Sequence, residues 1–144
     1  MEKIKILYHN DELEELEYVD GKSDWIDLRA AEDVEFKAGE HKLVNLGISM
    51  QLPKGHEAHI APRSSTFKNY GLLQTNCPGI VDESYCSNED VWKWSVYATR
   101  DTKIHFNDRV CQFRITKKQS KIEFEKVCHL EGKSRGGFGS TGIQ

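Results

Sequence analysis

The chain has no basic excess. Its 20 Lys and Arg residues are outnumbered by 23 Asp and Glu, for a formal net charge of −3. Proteins that track a nucleic-acid polymer usually carry a basic stripe, so that class of partner is set aside. A nucleotide, if one is handled, is taken free and in a focused pocket. Paired cysteine motifs are also missing. Cys77, Cys86, Cys111 and Cys128 form no C-x-x-C unit and have no His-x₃₋₅-His companion, which removes the usual zinc patterns. Unpaired thiols fit a reducing cytosol. No apolar run approaches the roughly 20 residues of a membrane span. The opening stretch, Met1 to Ile6, has no apolar core of the secretory kind. These absences point to a soluble, cytoplasmic protein with no membrane partner.

What is present is enough for one domain. A chain of 144 residues suits a single core, and such a domain buries roughly 68–70% of its unfolded surface. Three Trp, five Tyr and six Phe argue against disorder. The acidic stretch from Asp11 to Glu17 reads as a solvated loop face. Period-two alternation recurs along the chain. Ile4, Ile6 and Tyr8 alternate with Lys3, Lys5 and Leu7; Leu46, Ile48, Met50 and Leu52 form a second set. Trp92, Trp94, Val96 and Ala98 form a third, and Ile122 and Phe124 a fourth between Glu123 and Glu125. Each predicts a half-buried strand. Asp20-Gly21, Ala38-Gly39, Pro53-Lys54-Gly55, Arg100-Asp101 and Asn107-Asp108 supply the turns. Short strands at this spacing imply an all-β sandwich or barrel.

Two segments depart from that pattern. From Ser64 to Tyr70, Phe67 and Tyr70 sit at helical spacing and Gly71 follows. This predicts one short helix with Ser64 near its N-cap and Gly71 near its C-terminal stop. After Leu130 the chain reads Glu-Gly-Lys-Ser-Arg-Gly-Gly-Phe-Gly-Ser-Thr-Gly, too rich in glycine to pack as a strand. Two readings stay open for it: a frayed terminus, or a flexible clamp whose amides, hydroxyls and cations hold phosphate.

Five segments, in order, carry a family resemblance. They are Asp27-Leu28-Arg29-Ala30, Pro62-Arg63-Ser64-Ser65, Gly79-Ile80-Val81-Asp82-Glu83-Ser84-Tyr85, Arg109-Val110-Cys111-Gln112-Phe113 and Gly136-Gly137-Phe138-Gly139-Ser140-Thr141-Gly142. Together they resemble the five motifs of the trimeric dUTPase family, and the resemblance spans nearly the whole chain. It implies a jelly-roll-like β fold over residues 1–130 and a C-terminal arm, residues 131–144, that closes over a site shared between subunits of a homotrimer. It implies hydrolysis of dUTP to dUMP and pyrophosphate, with Mg²⁺, by water attack at the α-phosphate. That reaction keeps dUTP low and supplies dUMP for thymidylate synthesis.

The resemblance also assigns roles residue by residue. Asp82 orients and activates the water. Tyr85 packs under the deoxyribose and leaves no room for a 2′-hydroxyl. The hairpin of Asn76, Gly79 and Val81 reads uracil, largely with main-chain groups. Arg63, Ser64 and Ser65 meet the phosphates, and Gln112 bonds a phosphate oxygen or its water. Arg109 either contacts ligand or holds neighbouring carboxylates. Asp27 reaches the metal through water, because Mg²⁺ prefers phosphate oxygens and keeps several waters. Phe138 stacks on the base, while Gly139, Ser140 and Thr141 meet the γ-phosphate with Arg135 from a shifted position, or with Lys133 as a point charge. Three departures stand out. Asp24-Trp25-Ile26 replaces small residues, Cys86-Ser87-Asn88-Glu89-Asp90 lengthens a hairpin, and Lys133 stands where the family has Arg. Two other readings share the sequence: a dCTP deaminase-like enzyme of the same fold, and a catalytically idle regulatory binding module.

Overall fold

The computed structural model describes residues 2–18, 21 and 23–137. Eleven strands and one short helix follow one another: β1 (Lys5–Tyr8), β2 (Ile26–Arg29), β3 (Val34–Phe36), β4 (His41–Asn45), β5 (Ile48–Gln51), β6 (His56–Pro62), α1 (Thr66–Tyr70), β7 (Leu72–Gln74), β8 (Gly79–Val81), β9 (Lys93–Ala98), β10 (Thr102–Ile104) and β11 (Arg109–Lys117). All pairings are antiparallel. A four-stranded sheet runs β2-β11-β6-β8 and a three-stranded sheet β4-β9-β7, with ribbons β1-β5 and β3-β10 beside them.

Alternation decides which side of each strand is buried. In β9, Trp94, Val96 and Ala98 point inward, while Lys93 and Tyr97 face out. Leu28, Ala58, Ile60 and Phe113 of the first sheet join Val44, Leu72, Trp94 and Val96 of the second in one core. Trp92 meets Phe113 edge-on, with ring centroids 5.2 Å apart. Each fully buried side chain of this size contributes about 1.5–3 kcal/mol, so the two faces have a strong reason to pack. The result is the all-β, jelly-roll-like architecture expected.

Two expectations need correction. Ile122 and Phe124 form no strand; they are 60% and 89% exposed, in a stretch without regular structure that follows β11. Alternation alone did not supply a partner edge within this chain. The helix begins one residue late. Ser65, not Ser64, holds the cap position, and its hydroxyl makes no capping hydrogen bond. The first turn is pinned by Thr66 instead, whose Oγ1 accepts from the Arg63 amide at 2.8 Å and donates to the Val110 carbonyl at 2.9 Å. Gly71 ends the helix at φ +63° as predicted, and its amide bonds the Phe67 carbonyl. A Cβ there would lie 2.5 Å from Arg100 Nε, so a side chain would have to displace Arg100 as well as adopt the left-handed backbone.

Candidate active site

Strand register brings the first, second and fourth motifs to one end of the four-stranded sheet. On β11, Gln112 stands opposite Asp27 of β2 on one side and Ala61 of β6 on the other. Pro62 ends β6, so Arg63, Ser64 and Ser65 emerge beside Gln112. Arg63 Nε donates to Asp27 Oδ1 at 3.0 Å, and Arg109 Nη1 lies 3.8 Å from Asp27 Oδ2. Arg63 also reaches the Arg109 carbonyl at 3.3 Å. Gln112 donates its amide to the Pro62 carbonyl at 3.0 Å, which steadies the turn that presents the serines. Ser64 is exposed and Ser65 half-buried. Cys111 is fully buried behind them. Burial and the nearby Asp27 carboxylate push its thiol well up, so it stays protonated and serves as core.

The third motif lies elsewhere. Val81 of β8 pairs with Ala58 of β6, so Asp82 continues toward the start of β6, opposite Glu57. Arg63 leaves the far end of the same strand. Glu57 and Ala61 differ by four positions, or roughly 13 Å at the rise of a strand. Asp82 therefore does not share a site with Arg63, Gln112 or Asp27 inside one chain.

Asp82 is the most heavily engaged carboxylate of its turn. Its Oδ1 lies 2.7 Å from Lys118 Nζ, and its Oδ2 accepts from the Ser84 amide at 2.9 Å and the Ser84 hydroxyl at 2.6 Å. The Lys118 ammonium, then the two Ser84 donors, hold the carboxyl far below the usual range. Tyr85 closes the turn: its amide bonds the Asp82 carbonyl at 3.0 Å and its hydroxyl the Val91 carbonyl at 2.8 Å. Upstream, Ile60, Gln74, Asn76, Gly79, Ile80, Val81, Trp94 and Ser95 surround a small recess. Gln74 organises it. Its side-chain amide donates to the carbonyls of Ile60 at 2.8 Å and Asn76 at 2.6 Å, and its oxygen accepts from Trp94 Nε1 at 2.8 Å. The Cys77–Pro78 peptide in this loop is cis. Gln74 and Lys118 were not singled out from sequence, since neither lies in a motif and their partners sit on neighbouring strands.

A family model described as dUTPase matches residues 23–142. The SPbeta prophage-derived deoxyuridine 5′-triphosphate nucleotidohydrolase YosS of Bacillus subtilis (strain 168) is 55% identical over 123 residues, covering 85% of this chain and 87% of that protein. This chain belongs to the dUTPase family. Solved structures of the family share its fold. The dUTPase of Staphylococcus bacteriophage 80alpha, crystallised with dUpNHpp, matches with a TM-score of 0.78 at 15% identity, covering 99% of this chain and 100% of that one. A dUTPase from phage phi11 of S. aureus, studied for coordination of a structural Mg(II) ion, gives 0.76 at 13% identity, covering 91% and 100%. These relatives do not favour the deaminase or idle-module readings.

The departures from the family pattern have structural addresses. Trp25 is half-buried with the Arg114 guanidinium 5.8 Å over its ring, and Arg114 pairs with Asp24 at 2.7 Å. The bulky residue therefore sits on the outer side of the β2-β11 edge, beside an apolar groove of Ile4, Tyr18, Ile26 and Ile115. The longer hairpin is tied down by Asp90, which accepts from the Ser87 amide at 3.0 Å and from the Ser49 hydroxyl at 2.8 Å. Lys133 and Arg135 are both exposed. Phe138, Gly139, Ser140 and Thr141 lie outside the described residues. No helix among the described residues is long and apolar enough to cross a membrane.

Proposed function

We propose that this chain hydrolyses dUTP to dUMP and pyrophosphate in a homotrimer whose sites are each assembled from more than one subunit. The separation of Asp82 from the Arg63–Gln112 cluster carries the assembly. Neither half can act alone, because one lacks the phosphate ligands and the other the residue that handles water. A second chain brings the two ends together. The exposed apolar run of Ile122, Phe124, Val127 and Leu130 and the apolar groove beside Trp25 supply surface that assembly would bury.

In that site the recess around Asn76, Gly79 and Val81 takes uracil, with main-chain donors and acceptors matching its edge. Its wall excludes the thymine methyl; a methyl against an apolar wall alone is worth only about 1–3 kcal/mol, so the hydrogen bonds must share the work. Tyr85, held by Val91, supports the deoxyribose. Arg63, Ser64 and Ser65 bind phosphate, and the Ser64 hydroxyl stabilises charge that develops on the leaving pyrophosphate. Gln112 acts partly through Pro62 and partly on a phosphate oxygen. Asp82 orients the attacking water and takes its proton as the bond from the α-phosphorus to the bridging oxygen breaks.

Magnesium fits as a guest of the substrate phosphates. Asp27 is occupied by Arg63 and Arg109, so its remaining capacity suits a water-mediated contact better than direct ligation. When bound, the cation neutralises triphosphate charge. The arm, residues 131–144, closes over a neighbour's site, with Phe138 on the base and Arg135, Gly139, Ser140 and Thr141 at the γ-phosphate. A soluble cytoplasmic enzyme is the fitting setting.

Two measurements test this. Proton release with dUTP should greatly exceed that with dTTP, dCTP or UTP. Subunits carrying Asp82→Asn and subunits truncated before Lys133 should each be inactive as pure species, the first by roughly 10²–10⁴ in kcat. Mixed together they should regain activity; no recovery in verified mixed trimers contradicts the shared site.

A further inference from the structure

Lys118 is the first residue after β11, and nothing in the five motifs involves it. Its backbone is fixed: the Lys118 amide donates to the Gly55 carbonyl at 2.9 Å. Its ammonium lies 2.7 Å from Asp82 Oδ1 and 2.9 Å from Glu83 Oε1. Glu83 is anchored in turn, accepting from the Gly55 amide at 3.1 Å. An isolated surface ion pair is worth little. Here one cation joins two carboxylates, and both ends of the bridge are tied to the same Gly55 peptide. The charged groups facing Asp82 are Lys118, from the end of β11, and Glu83, on its own turn. Lys54 and His56 flank Gly55 across the bridge.

We propose that Lys118 is a positioning residue for hydrolysis: it pins Oδ1 of Asp82 and so fixes the direction from which that carboxylate meets the water. The inference rests on Asp82 being the water-activating residue. With Ser84 donating twice to Oδ2, three of the roughly four lone-pair sites of the carboxylate are spoken for. One direction remains open.

Two effects of Lys118 oppose each other. Its charge weakens Asp82 as a base, although Asp82 is ionised at neutral pH with or without it. Removing the cation raises the Asp82 pKa back toward the ordinary carboxylate range, because the Lys118 hydrogen bond is the first cause of its depression. Proton transfer responds only fractionally to that gain in basicity. Losing the fixed orientation costs more, since a misplacement of about 1 Å can lower a rate by about 10²-fold. Orientation therefore wins, and the lysine is a net aid to turnover. Its ammonium is matched by two carboxylates and adds little net attraction for the triphosphate, so substrate affinity should hardly change.

The experiment compares K118M, K118R, E83Q and D82N in the full-length assembled enzyme, each checked for native thermal unfolding. Steady-state kinetics with dUTP give kcat and KM separately. A ¹³C NMR titration reads the Asp82 side-chain carboxyl. K118M should lose about tenfold in kcat with KM nearly unchanged, and its Asp82 pKa should rise toward the ordinary carboxylate range. K118R should recover most of the loss, because a guanidinium still reaches both carboxylates. E83Q, which keeps the Lys118–Asp82 bond, should retain kcat. Unchanged kcat in K118M overturns the inference, and so does a KM that rises in proportion to the loss, which would make Lys118 a ligand contact. Equal losses in K118M and E83Q also overturn it, since the network would then only hold the turn together. If K118M does not fold, K118Q takes its place: a kcat loss with KM held supports positioning, and a kcat equal to the parent refutes it. An active D82N would remove the reading of Asp82 itself, a result distinct from a dead D82N beside an unaffected K118M.

Discussion

Thr66 links the stability of the fold to the shape of the turn proposed to bind phosphate. It is 2% exposed, and its hydroxyl bridges the Arg63 amide and the Val110 carbonyl. Valine has nearly the same shape but cannot make either bond. Thr66→Val therefore leaves a donor and an acceptor unpaired in the interior, each costing about 1–3 kcal/mol. The Val110 carbonyl retains a second lone pair and the turn can relax a little toward water, so the total should be about 2–4 kcal/mol. For a domain of this size each kcal/mol moves the midpoint by about 2–4 °C, which gives a drop of about 4–16 °C. Thr66→Ser keeps both bonds and loses one methyl, worth about 0.8 kcal/mol. Because the proposed assembly would make unfolding concentration-dependent, all variants must be compared at one protein concentration. Activity adds a second readout. Arg63, Ser64 and Ser65 leave the same turn, so Thr66→Val should lower kcat/KM by about tenfold or more well below its melting point, while Thr66→Ser should not. A Thr66→Val protein melting within about 2 °C of the parent would refute the claim that this hydroxyl, and not a serine cap, secures the helix start.

The Lys118 bridge has a pH signature in stability. Asp82 and Glu83 have folded-state pKa values below their ordinary ones, so their contribution is present above the unfolded carboxylate range and disappears as pH falls through the folded values. Lys118 is raised, so its contribution is intact below the ordinary lysine pKa and disappears as pH rises through the folded value. Urea midpoints of K118M and the parent should therefore differ most between about pH 5 and 9 and draw together progressively as pH falls below the ordinary carboxylate range; a constant gap across the range would exclude the bridge as its cause. Truncation before Lys133 should leave the core and assembly intact, because the described residues beyond 130 are exposed, and should nearly abolish hydrolysis. A protease that cuts this segment equally fast with and without a non-hydrolysable dUTP analogue would argue against closure.

Strand alternation made much of the sandwich legible. The run through Trp92–Ala98 carries its own instructions, since every second side chain is buried, whereas in Leu46–Leu52 the intervening Ser49 is buried as well, so that strand is covered on both faces and not half-buried as expected. Ile122 and Phe124 show where that rule stops. The same alternation is there, but an alternating segment only says that one face seeks cover, not which chain provides it. Capping residues were similarly ambiguous. Ser64, Ser65 and Thr66 all have a hydroxyl suited to a helix start, and only the position of Val110, 44 residues away, selects Thr66. That choice frees the two serines from local hydrogen bonding and leaves them available to a ligand.

The site was legible as a list of residue types and not as a place. Five motifs in order identify the groups a phosphoanhydride hydrolase needs, yet motif order carries no distances. Register supplies them. It gathers Asp27, Arg63, Arg109 and Gln112 at one end of β6 and sends Asp82 to the other, a separation that no rotamer change can close. Gln74 and Lys118 stayed hidden for a related reason: each acts on a motif residue from a neighbouring strand, and a sequence read along its length does not see across a sheet. The apolar run of Ile122, Phe124, Val127 and Leu130 is without cover, and the proposed catalytic groups are divided along one strand. The proposed assembly would answer both at once, since a neighbouring copy offers the apolar run a surface and the divided groups a meeting place.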